Sequence, residues 1–197
     1  KEFGVLYDIN EEEKKFFREE LAKNQKAKEY LKSRGLEDRT IERFELGYSP
    51  GGEALTTHLL RLGYDIRDVE RAGVSYKNTR GLFWDKFQRR IIFPITNSMG
   101  KVVAFTGRIL PEDAMQNARM HANDAKEFEA PKYLNSPETP IFHKSKILYG
   151  HHIAKKAIAD AKTVFLVEGQ MDVLMTWQAG VENVVALSGT GLTEHHL

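Results

Sequence analysis

The sequence contains no cysteine and no long hydrophobic run. Without cysteine, the 197 residues can form neither a disulfide framework nor a zinc site with thiolate ligands. No apolar stretch approaches the roughly 20 residues of a membrane-spanning helix, and the first residues lack a signal-peptide pattern. With 41% hydrophobic and 29% charged residues, the composition is that of a globular protein. We expect a cytoplasmic location and no membrane partner.

Positive charge is missing from the last part of the chain. Residues 163–197 contain no Lys or Arg and carry a net charge of −4, whereas the whole chain has a formal net charge of +1. Residues 77–110 carry +6 and residues 131–162 carry +4. Basic surfaces attract polyanions and carboxylates attract divalent cations. The division therefore predicts one region that contacts a polyanion and another that holds metal.

The first part of the chain has helical patterning. Apolar residues recur at helical spacing over residues 11–33, and Asn10 is the expected N-cap. Thr40 is the expected cap of a second helix. Including that one, three shorter helices are predicted, over residues 40–46, 53–62 and 66–72.

Strand patterns replace the helices after residue 80. Residues 90–95 and 101–110 are rich in β-branched and aromatic residues and predict a hairpin. Alternation along its first strand favours one buried face and one face that presents Arg90 outward. The alternative interpretation is a basic edge that only prevents aggregation. Residues 111–130 are polar and alanine-rich, and we expect them to form an exposed insertion.

The last part of the chain has the pattern of a βαβ unit. A helix is predicted over residues 146–160, followed by a buried strand, a helix and a parallel strand over residues 163–167, 170–179 and 184–187. The predicted fold class is an α+β basic subdomain, residues 1–160, followed by the start of an α/β parallel sheet, residues 161–197. Two parallel strands cannot close their own core. We therefore expect a truncated piece of a longer chain.

Two carboxylates follow the first strand of the βαβ unit. Glu168 lies at the carboxyl end of that strand, where open α/β sheets bind their ligands, and Asp172 lies one helical turn later. Carboxylate oxygens suit a hard divalent cation. The spacing alone leaves a second interpretation open, in which both side chains only decorate a βα turn and Asp172 serves the start of the helix.

The segment over residues 131–140 combines prolines, a lysine and a tyrosine. Its prolines and its Asn-Ser pair predict an extended, irregular chain. Lys132 offers a charge for phosphate, and Tyr133 offers a ring on which a base or sugar stacks. In the alternative interpretation, Tyr133 only holds a loop against the core.

Several strings occur in one order along the chain, among them Arg90-Ile-Ile-Phe-Pro-Ile95, Lys132-Tyr-Leu-Asn-Ser-Pro-Glu-Thr139 and Glu168-Gly-Gln-Met-Asp172. Their succession resembles the RNA-polymerase domain of bacterial replicative (DnaG-type) primases. The resemblance covers nearly the whole chain except residues 111–130. The string from Lys132 to Thr139 is highly specific for that family, whereas the Glu-Gly turn is shared by all Toprim proteins.

The resemblance implies a DNA primase, a DNA-dependent RNA polymerase that makes RNA primers on single-stranded DNA from ribonucleoside triphosphates at the bacterial replication fork. It makes 161–197 the first part of a Toprim domain. Glu168 resembles the Toprim glutamate, a metal ligand or acid/base group, and Asp172 resembles a second acidic residue of a two-metal Mg²⁺ or Mn²⁺ site. A basic ridge that tracks template and nucleotide is implied at Arg34, Arg90, Arg108, Lys132, Tyr133, Asn135 and Lys144.

Two features depart from the family pattern. Gln170 stands where the family usually has Tyr, and the Asp-x-Asp half of the Toprim site is expected after Leu197. The family's zinc-binding domain and its domain for the replicative helicase are also absent from these residues. We therefore expect the chain alone to bind single-stranded DNA weakly and to make no primers. Alternatives are a non-catalytic primase-like binding module and another Toprim enzyme, a nuclease or topoisomerase.

Overall fold

A computed structural model describes residues 3–78, 81–114, 130–187 and 191–196. Most of the predicted insertion over residues 111–130 lies outside these ranges, and its first four residues are helical. Across the described ranges, every helix is too short or too polar to cross a membrane.

The first part of the chain is helical, as predicted, but its longest predicted helix is in fact two helices. The five helices are α1 (Gly4–Lys23), α2 (Gln25–Ser33), α3 (Asp38–Arg43), α4 (Ala54–Arg61) and α5 (Ile66–Arg71). Asn24 separates α1 from α2, since its backbone is extended and its Oδ1 accepts a hydrogen bond from the backbone N–H of Ala27 at 2.9 Å. This side chain satisfies one of the N–H groups that a helix start leaves without an intrahelical partner.

The two predicted N-caps are wrong. Asn10 lies inside α1 and is buried, because the apolar stripe continues upstream through Leu6 and Ile9. Thr40 lies inside α3, which begins after the extended residue Glu37. Both polar residues face the protein interior, so their capping chemistry is not used at a helix start.

A four-stranded antiparallel sheet forms the centre of the molecule. Its strands are β1 (Gly47–Ser49), β4 (Arg90–Thr96), β5 (Val102–Ile109) and β6 (Tyr133–Asn135), in the order β1-β4-β5-β6. The strands β4 and β5 confirm the predicted hairpin, and Arg108 on β5 lies opposite Ile91 on β4 and Tyr133 on β6. A separate two-stranded sheet contains β2 (Ser75–Lys77) and β3 (Phe83–Asp85).

The last part of the chain contains the predicted βαβ unit. Its elements are β7 (Leu148–Tyr149), α6 (His151–Ala161), β8 (Phe165–Val167), α7 (Gln170–Gln178) and β9 (Val184–Leu187). Strands β8 and β9 are parallel, and β7 pairs with β9 in the antiparallel direction. The helix predicted from residue 146 therefore starts too early. Gly150, with a φ of +81°, ends β7 before α6 begins.

One hydrophobic core joins both parts of the chain. It contains Leu31 and Phe93 from the basic part together with Val173, Val184 and Ala186 from the βαβ unit. All five side chains are fully buried. The βαβ unit is therefore held by packing on the central sheet and its helices, so it does not depend on a core of its own.

Strand β8 is not buried as its apolar sequence predicts. Phe165 is 56% exposed and Leu166 is 43% exposed. Among the described residues β8 pairs with β9 alone, which makes it the edge of its sheet. Phe165 and Leu166 are successive residues and point to opposite faces of the strand, so the described residues leave both faces of β8 partly uncovered.

Candidate nucleic-acid interface and acidic turn

Arg90 lies inside the molecule. It is 3% exposed, and its Nη1 donates hydrogen bonds to the carbonyl oxygens of Gly107 (3.1 Å), Pro131 (2.9 Å) and Lys132 (3.4 Å). Burial lowers the pKa of Arg90 to about 10. The expectation that Arg90 points outward is therefore wrong. Its neighbour on the same face of β4, Ile92, is apolar and buried, a signal that this face belongs to the core.

The guanidinium of Arg90 fits only because position 107 is glycine. A Cβ on Gly107 would lie 2.9 Å from Cδ of Arg90 and 2.6 Å from Cδ1 of Phe87. Contacts this short are sterically excluded, so the missing side chain leaves room for both. Arg90 thus ties β4 to β5 and to the segment that leads into β6.

Arg108 lies between two tyrosine rings. Its Nη1 donates a hydrogen bond of 2.6 Å to the hydroxyl of Tyr133, and its Cζ lies 5.2 Å from the Tyr133 ring centroid and 5.6 Å from that of Tyr30. Arg108 is 7% exposed, and among the described residues its Nε and the Tyr30 hydroxyl have no hydrogen-bond partner. The geometry holds the Tyr133 ring by a charged hydrogen bond and cation–π contacts.

Tyr30, whose ring centroid lies 5.6 Å from Cζ of Arg108, was not predicted from the sequence. It lies on α2, one helical turn before Arg34. An aromatic residue at this spacing from a predicted ridge residue shares its face of the helix, and this is the signal that could have indicated it.

Three of the predicted basic residues reach solvent. Arg34 and Lys132 are exposed, and Lys144 is half-buried in a 3₁₀ turn. Within the described ranges, these three side chains form no ion pair. Burial lowers the pKa of the nearby Lys86, and the positive charges of Lys144 and Arg90 lower it further. Neighbouring cations that repel each other and have no ion-pair partner make a surface that is suited to bind an anion.

A chain of hydrogen bonds joins β6 to the first residue of α7. The hydroxyl of Thr106 donates to Oδ1 of Asn135 at 2.7 Å, and Nε2 of Gln170 donates to Oγ1 of Thr106 at 3.3 Å. Thr106 is fully buried and Gln170 is 6% exposed. Because Gln170 follows Glu168 by two residues, the strand with the predicted nucleotide contacts lies beside the predicted acidic turn.

The two acidic residues of that turn are exposed. Glu168 follows the last residue of β8, and Oδ2 of Asp172 accepts a hydrogen bond of 3.2 Å from the backbone N–H of Gly169. This bond caps α7, which is the structural role left open for Asp172. In the part of the chain that the structure describes, no group of three or more His, Cys, Asp or Glu side chains could hold a metal ion. Two carboxylates fit the oxygen chemistry of Mg²⁺ and Mn²⁺, but a complete site needs further ligands.

The molecule thus combines a basic antiparallel sheet with an acidic strand–turn–helix unit. The family described as "DNA primase catalytic core, N-terminal domain" matches residues 16–155, and the Toprim domain family matches residues 162–197. The chain belongs to the bacterial DNA primase family, and its residues form part of the catalytic core.

Individual relatives agree with this assignment. The chain is 40% identical to the DNA primase of Halalkalibacterium halodurans and 38% identical to that of Haemophilus influenzae, covering 96% and 98% of this chain but 30% of either relative. It is 34% identical to the RNA polymerase domain of Mycobacterium tuberculosis primase DnaG, with a TM-score of 0.82 over 98% of this chain and 59% of that one. A DnaG catalytic domain bound to single-stranded DNA has 35% identity and a TM-score of 0.79 over 97% of this chain and 57% of that one.

Proposed function

We propose that these residues form the template- and nucleotide-contacting part of an enzyme that makes short RNA primers on single-stranded DNA. The observation that supports this most directly is the adjacency of two chemistries. Strand β6, with Lys132 before it and the ring of Tyr133 on it, is joined through Thr106 and Gln170 to the turn that carries Glu168. The DNA primase relatives support the same activity.

The cations that reach solvent account for binding to the backbone of the template. Arg34, Lys132 and Lys144 are free of ion pairs with described residues, so their charges are available for phosphate groups. The ring of Tyr133, held by Arg108, offers a surface for a base or sugar, and such stacking typically contributes about 1–3 kcal/mol per base. The ligands are therefore single-stranded DNA, ribonucleoside triphosphates and the growing primer.

Glu168 and Asp172 are the residues that would hold a divalent cation, together with acidic ligands expected outside these residues. When bound, Mg²⁺ or Mn²⁺ would activate the 3′-hydroxyl and neutralise charge on the triphosphate. The protein contributes orientation, because the β6 strand and the acidic turn are joined by direct hydrogen bonds. Contact with a replicative helicase and with zinc would belong to other domains of the whole enzyme.

DNA binding tests the first half of the proposal. We expect residues 1–197 to bind a fluorescein-labelled single-stranded oligonucleotide weakly, with a slope of log Kobs against log salt of about −0.7 per phosphate contact. Lys132→Gln should flatten this slope. Lys23→Gln is the matched control. Lys23 lies on α1 and pairs with Glu20 at 2.9 Å, so its removal should leave the slope unchanged. Binding that is undetectable or independent of salt would contradict the proposal.

Primer synthesis tests the second half. With Mg²⁺ or Mn²⁺, residues 1–197 alone should make no primers, since the described chain offers two carboxylates at the turn. A longer chain that completes the Toprim domain should synthesise primers, and Glu168→Gln should abolish synthesis without changing DNA affinity. Robust synthesis by residues 1–197 would show that the described carboxylates suffice and would overturn this division.

A further inference from the structure

We infer that Thr106 and Gln170 are positioning residues that fix the Glu168 turn against the strand that carries Asn135. Neither residue belongs to the basic ridge or to the acidic pair. The inference rests on the proposed function, because it treats this turn and this strand as two sides of one active site. It assigns to both residues an effect on the chemical step that operates through Glu168 and not through contact with the substrate.

The hydroxyl of Thr106 has a fixed direction in this arrangement. Thr106 lies in the middle of β5, fully buried, opposite Phe93 on one neighbouring strand and Asn135 on the other. A hydroxyl has one hydrogen to donate. Since Oδ1 of Asn135 takes that hydrogen at 2.7 Å, the oxygen of Thr106 is left as an acceptor for the amide of Gln170 at 3.3 Å. One buried atom therefore joins two elements from different parts of the chain.

Helix α7 is held at both ends by glutamine side chains. At its far end, Gln178 binds the backbone carbonyl of Gly35 at 2.8 Å, the backbone N–H of Glu37 at 2.9 Å and the hydroxyl of Thr40 at 2.8 Å. At its near end, Gln170 makes the bond to Thr106. Loss of the near bond leaves the far end fixed and loosens the end that adjoins the acidic turn.

The acidic turn has few restraints of its own. Among the described residues, the backbone N–H of Gly169 donates to Asp172 at 3.2 Å and the carbonyl of Gly169 accepts from the backbone N–H of Val173 at 3.2 Å, and both carboxylates are exposed. The first buried side chain after Glu168 is that of Gln170. An amide at this position supplies a donor for the Thr106 hydroxyl. This gives a physical reason for Gln170 in a position where the resemblance leads one to expect Tyr.

The test measures primer synthesis by a chain that completes the Toprim domain, with Thr106→Val and Gln170→Met. Val matches the shape of Thr without its hydroxyl, and Met matches the length of Gln without its amide. We expect each variant to lower kcat about 3- to 10-fold, to raise the Mg²⁺ concentration that gives half-maximal rate, and to leave KM for template within about twofold. The double variant should be no slower than the slower single variant, because both substitutions break the bond between Thr106 and Gln170. Thr106→Val also breaks the bond to Asn135, which Gln170→Met leaves in place. Thr106→Ser keeps the hydroxyl and should retain the wild-type rate.

Thr163→Val provides a matched control. It removes another threonine hydroxyl that accepts a hydrogen bond from a side-chain amide, in this case from Asn183 at 3.2 Å. This bond is exposed and lies within the last part of the chain. This variant should leave kcat unchanged. Gln170→Met tests the bond from its other side if Thr106→Val does not fold, as judged by the amide NMR spectrum.

Two failures are distinguishable. The inference would be overturned, while the wild-type chain still makes primers, by any of three results. These are an unchanged kcat in the single variants, losses in kcat that multiply in the double variant, and an effect confined to KM. A wild-type chain with a complete Toprim domain that makes no primers would overturn the proposed function itself.

Discussion

Arg90 donates a hydrogen bond to the backbone of Lys132, yet the side chain of Arg90 is buried and that of Lys132 is exposed. The guanidinium of Arg90 is 3% exposed and donates to three backbone carbonyls, one of them that of Lys132, whose own side chain is exposed. Arg108 resembles Arg90 in its burial, and Arg34 resembles Lys132 in its exposure. Removing a guanidinium from water costs several kcal/mol unless protein groups replace the lost hydrogen bonds.

This difference teaches that the predicted basic ridge contains two kinds of cation. The buried arginines act on protein atoms, as Arg90 does on backbone carbonyls and Arg108 on Tyr133. The exposed cations keep their hydration until a phosphate replaces it. Substitutions should therefore separate into effects on folding stability and effects on DNA affinity.

The largest effect is expected for Arg90→Met. It leaves the carbonyl oxygens of Gly107, Pro131 and Lys132 without this donor, so the free energy of unfolding should fall by about 3 kcal/mol. Urea denaturation followed by circular dichroism measures this. Arg61→Met, at an exposed position on α4, is the control and should change stability by less than about 0.5 kcal/mol. Equal stability of the two variants would contradict the distinction between buried and exposed cations.

A smaller effect is expected for Tyr133→Phe. It keeps the ring but removes the hydroxyl that Arg108 binds at 2.6 Å, and a hydrogen bond to a charged group contributes about 1.5–3 kcal/mol. We expect a loss of stability of about 2 kcal/mol, together with weaker DNA binding and an unchanged salt slope. A changed salt slope would show that Arg108 itself neutralises phosphate.

Glu13 extends the comparison to a buried negative charge. It is 2% exposed, its Oε1 has no hydrogen-bond partner among the described residues, and burial, followed by the charge of Asp85, raises the pKa of Glu13 well above 4.5. A raised pKa of an acid in the folded state means that stability present at low pH is lost as pH rises through that pKa. Glu13→Gln should therefore stabilise the protein more at pH 8 than at pH 4.

Urea denaturation at both pH values measures this difference. Glu20→Gln, at a partly exposed position on the same helix, should show no comparable pH dependence. If Glu13→Gln changes stability equally at pH 4 and pH 8, burial does not raise the pKa of this carboxyl.

Local patterns predicted the elements whose periodicity is complete within one segment. The hairpin of β4 and β5, the helices α4 and α5, and the parallel pair β8 and β9 follow from alternation, capping and apolar runs. The errors about burial share a cause, since the surroundings of Asn10, Arg90 and Phe165 depend on distant parts of the chain. Asn10 is buried under Val102, 92 residues away, and binds its carbonyl at 3.4 Å.

The candidate site was predicted in composition but not in arrangement. A sequence shows that Arg90 and Lys132 are cations, but the burial of Arg90 depends on the space that Gly107 leaves for the side chains of Arg90 and Phe87. The bond between Thr106 and Gln170 joins residues 64 apart, which no local pattern reports. The roles of the ridge residues and of Glu168 stay predictions that the experiments above address.

The salt dependence of DNA binding tests the central distinction most directly. Binding of labelled single-stranded DNA is measured between 50 and 200 mM salt, roughly the range over which phosphate contacts dominate the change in affinity, for wild type, Lys132→Gln and Arg90→Met at a temperature where all are folded. We predict that Lys132→Gln lowers the slope by about 0.7 and that Arg90→Met leaves it unchanged. A slope lowered by Arg90→Met and unchanged by Lys132→Gln would contradict the account.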